Sequence, residues 1–127
     1  MVKIVVGGQL AKDEMAALIR QCGGGEVNVE IKSDMQAAMD VKSGAADFYV
    51  GACQTGGGGS LAMAIALCGY GVCVTLASAG NVMSEERIAA EVQAGKTCFG
   101  LVVESMQTVV PVLVRKLLKQ KTKKSQP

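Results

Sequence analysis

Short apolar runs alternate with amphipathic segments five times along this chain of 127 residues. The apolar runs are rich in β-branched residues and have the length of strands, at 2–6, 27–31, 48–52, 72–77 and 97–103. Each is followed by a segment with apolar residues at helical spacing. Helices between successive strands imply parallel pairing through right-handed crossovers. The pattern predicts a three-layer α/β/α sandwich of doubly wound, Rossmann-like type, with a five-stranded parallel sheet.

Local signals place the ends of the helix after the second strand. Ser33 stands three residues before Gln36, which is the spacing of a capping box. Gly44 is a typical residue just beyond a helix end. From the spacing of its apolar residues, we expect this helix to bury Met35, Ala38, Met39 and Val41.

Two later helices have unusual sequences. The segment 60–68 contains almost no polar residue, so we expect it to be buried either in the core or in a subunit interface. The last helix is predicted to begin at 104–105 and contains Pro111. Proline inside a helix removes a hydrogen bond and clashes with the preceding turn. It therefore predicts a kink, or a later start near 108.

Charges are distributed unevenly along the chain. Six of the 13 basic residues lie between Arg115 and Lys124. Residues 1–114 carry the other seven basic residues and all 11 acidic residues, a net charge of −4. Since a nucleic-acid-binding domain shows a basic face, we expect no nucleic-acid partner. The length favours one α/β domain at 1–118, followed by a lysine-rich, frayed tail at 119–127.

The cysteines indicate a reducing compartment. Five are present, an odd number, with no Cys-x-x-Cys pair and no recognisable signal peptide. No charged residue occurs between Asp47 and Glu85, but glycines interrupt that stretch. A spanning helix needs about 20 apolar residues in succession. We therefore expect a cytoplasmic protein without membrane insertion.

The segment after the third strand is the strongest candidate for a ligand site. It contains four consecutive glycines and precedes an apolar helix. Glycine lets a backbone approach a ligand closely, and a helix N-terminus presents unpaired N–H groups and the positive end of a dipole. This combination is typical of anion sites. We predict that a small anionic metabolite is bound by Gln54, Thr55, Gly56, Gly57, Gly58, Gly59 and Ser60.

Other loops should reach the same edge of the sheet. In doubly wound folds, ligands bind beyond the carboxyl ends of the strands, where the strand order reverses. The polar and glycine residues predicted for the rim of such a pocket are Gly8, Gln9, Ser78, Asn81 and Glu104.

Cys53 ends the third predicted strand and has two alternative roles. It is either a small buried apolar side chain or a thiol whose pKa is lowered by the helix dipole, able to act as base or nucleophile. The sequence contains no histidine, so a Cys–His dyad is excluded. Walker and dinucleotide-binding motifs are lacking, and the acidic residues lie on predicted helix faces. We therefore expect no cofactor and no metal.

Much of the sequence resembles the YhfU-like family of uncharacterised bacterial proteins. The resemblance rests on Ser33–Gly44 and Tyr49–Ala66, and it continues through Gly69-Tyr70, Gly95-Lys96 and Phe99–Glu104. It covers nearly the whole chain before the lysine-rich tail. It implies membership of that family, which brings no established activity with it.

A local pattern resembles a second family. Cys53-x-Thr55-Gly56-x-Gly58-x-Ser60 is similar to the glycine loop of type-B ribose-5-phosphate isomerases. The resemblance implies a cysteine that moves a proton between sugar carbons and loop amides that stabilise an enediolate oxygen.

The chain also departs from that isomerase family. Gln54 replaces a glycine, Ala64-Ile65 replaces Asn-Lys, and Gly7-Gly8-Gln9 replaces an Asp-His pair. No histidine is present to open a sugar ring, and no arginine cluster is evident for a phosphate. The same isomerase reaction is therefore not expected.

Three functions remain open from the sequence. The first is a binding or sensing module for a small anionic metabolite on 54–60. The second is an isomerase-like enzyme with Cys53 as its base. The third is a structural subunit of a homo- or hetero-oligomer that associates through the apolar helix at 61–68. A homo-oligomer, in the form of a dimer, is compatible with all three.

Overall fold

The computed structural model describes the backbone of residues 1–54 and 61–125, with side chains up to Gln120. Six strands are present in these residues: β1 (Val2–Gly8), β2 (Val27–Ile31), β3 (Phe48–Cys53), β4 (Cys73–Ser78), β5 (Asn81–Val82) and β6 (Cys98–Val102). Five α-helices accompany them: α1 (Lys12–Gly23), α2 (Asp34–Ser43), α3 (Ala62–Cys68), α4 (Glu85–Gln93) and α5 (Met106–Ser125).

The strands form one sheet with the order β2-β1-β3-β6-β4-β5. The five strands expected from the sequence are all present, and every pairing among them is parallel. The expectation of five strands in total was wrong by one. The segment expected to be a loop after β4 turns at Gly80 (φ 74°), and β5 then pairs antiparallel with the end of β4. A tight turn lets so short a strand extend the sheet.

The helices lie on both sides of the sheet. We call α1, α4 and α5 the three-helix layer, in which α1 and α4 both pack on α5. We call α2 and α3, which pack together on the opposite face, the two-helix layer. The larger apolar core lies under the three-helix layer and includes Ile4, Ile19 and Leu113. The three-layer α/β/α architecture expected from the sequence is therefore confirmed.

Helix α2 begins and ends where the sequence predicted, but it presents a different face. The Ser33 hydroxyl accepts from the N–H of Gln36 at 3.2 Å, as the capping signal requires. Met35 and Met39 are 54% and 47% exposed, so their predicted burial was wrong. Ala38 is buried as predicted, together with Ala37 and the carboxylate of Asp40, and Val41 is half-buried. Small side chains allow close packing of α2 on β1 and α3, which places the methionines outside.

Helices α3 and α5 also correct two expectations. Within the described chain, Ala64 is the one fully buried residue of α3, so burial of this helix in the core of a single chain was wrong. Helix α5 begins at Met106 after a 3₁₀ turn and contains Pro111, so a start near 108 was wrong too. Helical backbone continues to Ser125, through most of the expected tail at 119–127.

No helix among the described residues is both long enough and apolar enough to span a bilayer.

Candidate functional site

The carboxyl ends of three central strands meet at one edge of the sheet. Strand β3 lies between β1 and β6, in parallel with both. In the register of these pairs, Gly8 is opposite Ala52, and Cys53 is opposite Val102. The residues that follow β1, β3 and β6 therefore leave the sheet side by side.

The chain leaves β3 in the opposite direction from its two neighbours. After β1 and after β6 it passes to α1 and α5, in the three-helix layer. After β3 it passes to α3, in the two-helix layer. Adjacent strands whose connections diverge leave a crevice between them, which is the usual ligand position in such folds. The end of β3 has one such crevice on each side.

The loop after β1 closes tightly over β3. The N–H groups of Gln9 and Leu10 both donate to the carbonyl oxygen of Ala52, at 3.0 and 3.3 Å. Gly8 has a φ of 84°, and a Cβ atom there would lie 2.7 Å from the N atom of Ala52 and 2.8 Å from its oxygen. Only glycine fits this position. The structure thus brings the predicted rim residues Gly8 and Gln9 next to the residue before Cys53.

Tyr49 is a polar residue of this edge that the sequence interpretation missed. Its side chain is fully buried, and its hydroxyl accepts from the Gly8 N–H at 3.0 Å and donates to Asp34 Oδ1 at 3.4 Å. Burial raises the pKa of Tyr49 above its ordinary value, so the hydroxyl keeps its proton. The tyrosine links β3, the loop after β1 and the start of α2. The one polar side chain before Cys53 in an otherwise apolar strand was the available signal.

Cys53 is the last residue of β3 and is 3% exposed. Gln54 follows it and is exposed. The other predicted ligand-binding residues, 55–60, lie outside the described residues. The chain is described again from Leu61, which is 2% exposed, and α3 begins at the next residue. The described residues that flank 55–60, Gln54 and Leu61, lie at the carboxyl end of β3 and directly before α3.

The remaining rim residues divide into two groups. Glu104 is exposed in the 3₁₀ turn after β6. It lies two residues after Val102, which is opposite Cys53 in the sheet. Ser78 and Asn81 pair with each other in the β4–β5 hairpin, on the far side of β6. They line a separate groove of about 260 Å³. The structure therefore places Gly8, Gln9 and Glu104 at or just beyond the carboxyl ends of the strands that adjoin β3, but not Ser78 and Asn81.

Two lysines at this edge were also missed. Lys32 follows β2, and its ammonium contacts the Asp40 carboxylate and Glu30 Oε2, the latter at 3.4 Å. Its hydrogen bond to Asp40 raises the pKa of Lys32 and lowers that of the carboxyl. The Lys12 ammonium donates to the carbonyl oxygen of Lys32 at 3.0 Å, and among the described residues it has no carboxylate partner. Lys12 therefore contributes uncompensated positive charge to the edge.

No metal site is evident in the described part of the chain. No three Asp, Glu or Cys side chains there are arranged to hold a metal ion.

One solved structure has a similar fold. The crystal structure of ribose-5-phosphate isomerase B (RpiB) from Giardia lamblia superposes with a TM-score of 0.63, over 94% of this chain and 92% of that one. The two sequences are 16% identical, so the likeness concerns the fold. It confirms the Rossmann-like architecture and agrees with the resemblance inferred from the glycine pattern.

Closer relatives are bacterial. The uncharacterized protein YhfU of Escherichia coli strain K12 is 42% identical over 117 residues, which cover 92% of this chain and 99% of the relative. YhfU of Shigella flexneri matches with the same identity and coverage. The model of a family described as a protein of unknown function, DUF2620, matches residues 2–117. This chain therefore belongs to the DUF2620 family, together with the YhfU proteins.

Proposed function

We propose that this protein binds a small anionic metabolite, of the sugar-phosphate or carboxylate class, on residues 54–60. One observation carries the proposal: the chain leaves β3 after Cys53 toward the two-helix layer, while both neighbouring strands connect to the three-helix layer. A segment with four glycines starts at this divergence and ends at a helix. The backbone N–H groups of a glycine-rich segment that leads into a helix are suited to binding an anion.

Two further observations support this choice of ligand. Lys12 adds positive charge at the same edge without a carboxylate partner among the described residues. The fold is also shared with a ribose-5-phosphate isomerase. A sugar phosphate is therefore the first ligand class to test, followed by carboxylates.

Titration with ribose 5-phosphate, followed by amide NMR, tests the proposal. We expect saturable shifts at 54–60, with smaller shifts at Gln9 and Lys12. The variant Gly57→Ala should weaken binding, because a methyl group obstructs close approach of the ligand to the backbone. Gly71→Ala is the matched control, since a Cβ atom at Gly71 meets nothing within 4 Å. Absence of shifts at 54–60 with sugar phosphates and with carboxylates would refute the proposal.

An isomerase-like enzyme is the second candidate, favoured by the position of Cys53 at the start of the same segment. In this reaction the Cys53 thiolate removes the proton from the hydroxyl-bearing carbon next to a carbonyl and returns it to the carbonyl carbon, while the hydroxyl proton passes to the former carbonyl oxygen through an enediol. With no histidine in the chain, the sugar would have to enter in its open form. Exchange of solvent deuterium into open-chain sugar phosphates tests this candidate. Exchange that persists in Cys53→Ala, or no exchange in the unmodified protein, would exclude it.

We also propose that the protein forms a homodimer, as an assembly that either function can use. Ala62 and Ala66 on α3 are exposed, and Met63 is half-buried. Met35 and Met39 on the neighbouring helix α2 are exposed as well. A second copy of the chain would remove this apolar surface from water. Light scattering over a range of concentrations tests the proposal, and a monomer throughout would contradict it.

A cytoplasmic location completes the proposal. Cys22, Cys68, Cys73 and Cys98 form no disulfide, as is usual for proteins in a reducing compartment.

A further inference from the structure

A groove beside α4 lies at the same edge of the sheet, separated from β3 by β6. It has a volume of about 260 Å³ and lies between the end of β4, the β4–β5 hairpin and the first turn of α4. Strand β4 is irregular here, with a shift of its register against β6 between Thr75 and Ala77. Irregularities of this kind are common beside functional sites.

The lining of this groove carries one charged side chain among the described residues, and it is positive. That side chain is Arg87, and its polar neighbours in the lining are Thr75, Ser78, Asn81 and Ser84. The Ser84 hydroxyl accepts from the N–H of Arg87 at 3.2 Å, which leaves its own proton available for donation. The groove therefore offers hydrogen-bond donors around a cation.

Nearby carboxylates do not neutralise Arg87. Glu85, in the same helical turn, is paired through its Oε1 atom with Arg115 at 3.1 Å and with Lys116 at 3.4 Å. Glu86 is exposed and takes no part in the lining. Within the described residues, the guanidinium of Arg87 forms no ion pair. An unpaired guanidinium beside several hydroxyl donors is suited to an anion with several acceptor oxygens.

We infer that this groove binds a phosphate group, with Arg87 as its cationic contact. A phosphate has more acceptor oxygens than a carboxylate, so it can accept hydrogen bonds from more of the polar side chains that line the groove. The groove lies beyond β6, so the site is distinct from the segment 54–60 and does not depend on the function proposed for it. Val82, which is 46% exposed in the lining, is placed to contact the organic part of a phosphate ester.

Amide NMR with inorganic phosphate, at constant ionic strength, tests the inference. We expect saturable shifts at Ser78, Asn81 and Arg87, whereas shifts at 54–60 would report the proposed function separately. Arg87→Gln should lower the affinity at least tenfold, because a charge-assisted hydrogen bond is lost. Lys42→Gln is the matched control. It removes one exposed positive charge at the opposite edge of the sheet and should change the affinity less than twofold.

A parallel titration with glycerol phosphate identifies the source of the phosphate group. Tighter binding than that of inorganic phosphate assigns the groove to a phosphate ester, and equal affinity assigns it to the free ion. Unchanged affinity in Arg87→Gln, or shifts confined to the lysines of α5, would overturn the inference.

Discussion

Among substitutions at the candidate site, Gly8→Ala should lower the free energy of unfolding most. Two separate effects contribute to this loss. The φ of 84° lies in the left-handed region, which costs a non-glycine residue about 1–2 kcal/mol. A Cβ atom would also lie 2.7 Å from backbone nitrogen and 2.8 Å from backbone oxygen of Ala52, and such overpacking typically costs about 1–3 kcal/mol more. We expect Gly8→Ala to be destabilised by about 2–5 kcal/mol in total.

Alanine substitutions at two other glycines separate the backbone strain from the steric contact. Gly44 has a φ of 85° with nothing within 4 Å of its Cβ position, so Gly44→Ala should lose only the backbone part, about 1–2 kcal/mol. Gly71 has neither a positive φ nor a close neighbour, so Gly71→Ala should stay within about 1 kcal/mol of the unsubstituted protein.

Urea unfolding followed by circular dichroism measures all three variants, because the chain contains no tryptophan for fluorescence. The loop after β1 rests on Ala52 through two hydrogen bonds, so strain at Gly8 should also shift the amide signals of Gln9. Equal destabilisation in Gly8→Ala and Gly44→Ala would refute the close contact with Ala52.

Three further predictions concern buried polar groups and thiols. Tyr49→Phe should cost about 1–3 kcal/mol in urea unfolding, because the buried Gly8 N–H loses the acceptor that it contacts at 3.0 Å; a neutral result would mean that water replaces the hydroxyl. Iodoacetamide, mapped by mass spectrometry, should label exposed Cys22 in the native state. It should label Cys98 only after unfolding, because Cys98 is fully buried and burial raises the pKa of its thiol; native labelling of Cys98 would contradict this. Lys32 holds the pKa of the Asp40 carboxyl below its usual value, so the ion pair stabilises the fold at pH values above the ordinary pKa of an aspartate. This stabilisation is lost as the pH falls through the lowered pKa of Asp40. Asp40→Asn should therefore weaken the acid dependence of unfolding, and an unchanged acid profile would argue against the pair.

The order of the elements could be predicted from the sequence, but the order of the strands could not. Five short runs rich in β-branched residues, separated by amphipathic segments, indicate which residues form strands. The central strands β3 and β6 are almost entirely apolar because both of their faces are buried, whereas β2 alternates apolar and polar residues because one of its faces is exposed. The same pattern does not indicate that β6 inserts between β3 and β4. That arrangement follows from which faces the helices cover, and it creates the second crevice beside β3.

The buried face of α2 illustrates a second limit of sequence interpretation. Met35 and Met39 are four residues apart and form an apolar stripe that satisfies helical periodicity as well as Ala37, Ala38 and Val41 do. The structure buries the alanines, since the two-helix layer packs closely, and turns the carboxylate of Asp40 inward toward Lys32. Periodicity alone cannot distinguish these faces, because it ranks side chains by hydropathy and takes no account of the available space or of a buried ion pair.

The position of the candidate site is determined by the fold, whereas its side chains are particular to this chain. The position follows from topology, because the connection after β3 diverges from those of both neighbouring strands whatever residues occupy it. The similarity to an isomerase concerns the fold alone, and any chemistry depends on the residues present. Here Tyr49 and Asp34 connect the loop after β1 to α2, Lys12 brings positive charge, and no histidine is available for proton transfer. Of these side chains only Lys12 attracts an anion, while Tyr49 and Asp34 hold the loop in place, so recognition of an anion rather than turnover is the function that we propose. Turnover would depend on one residue, Cys53, which is why its deuterium-exchange test discriminates between a binding protein and an enzyme.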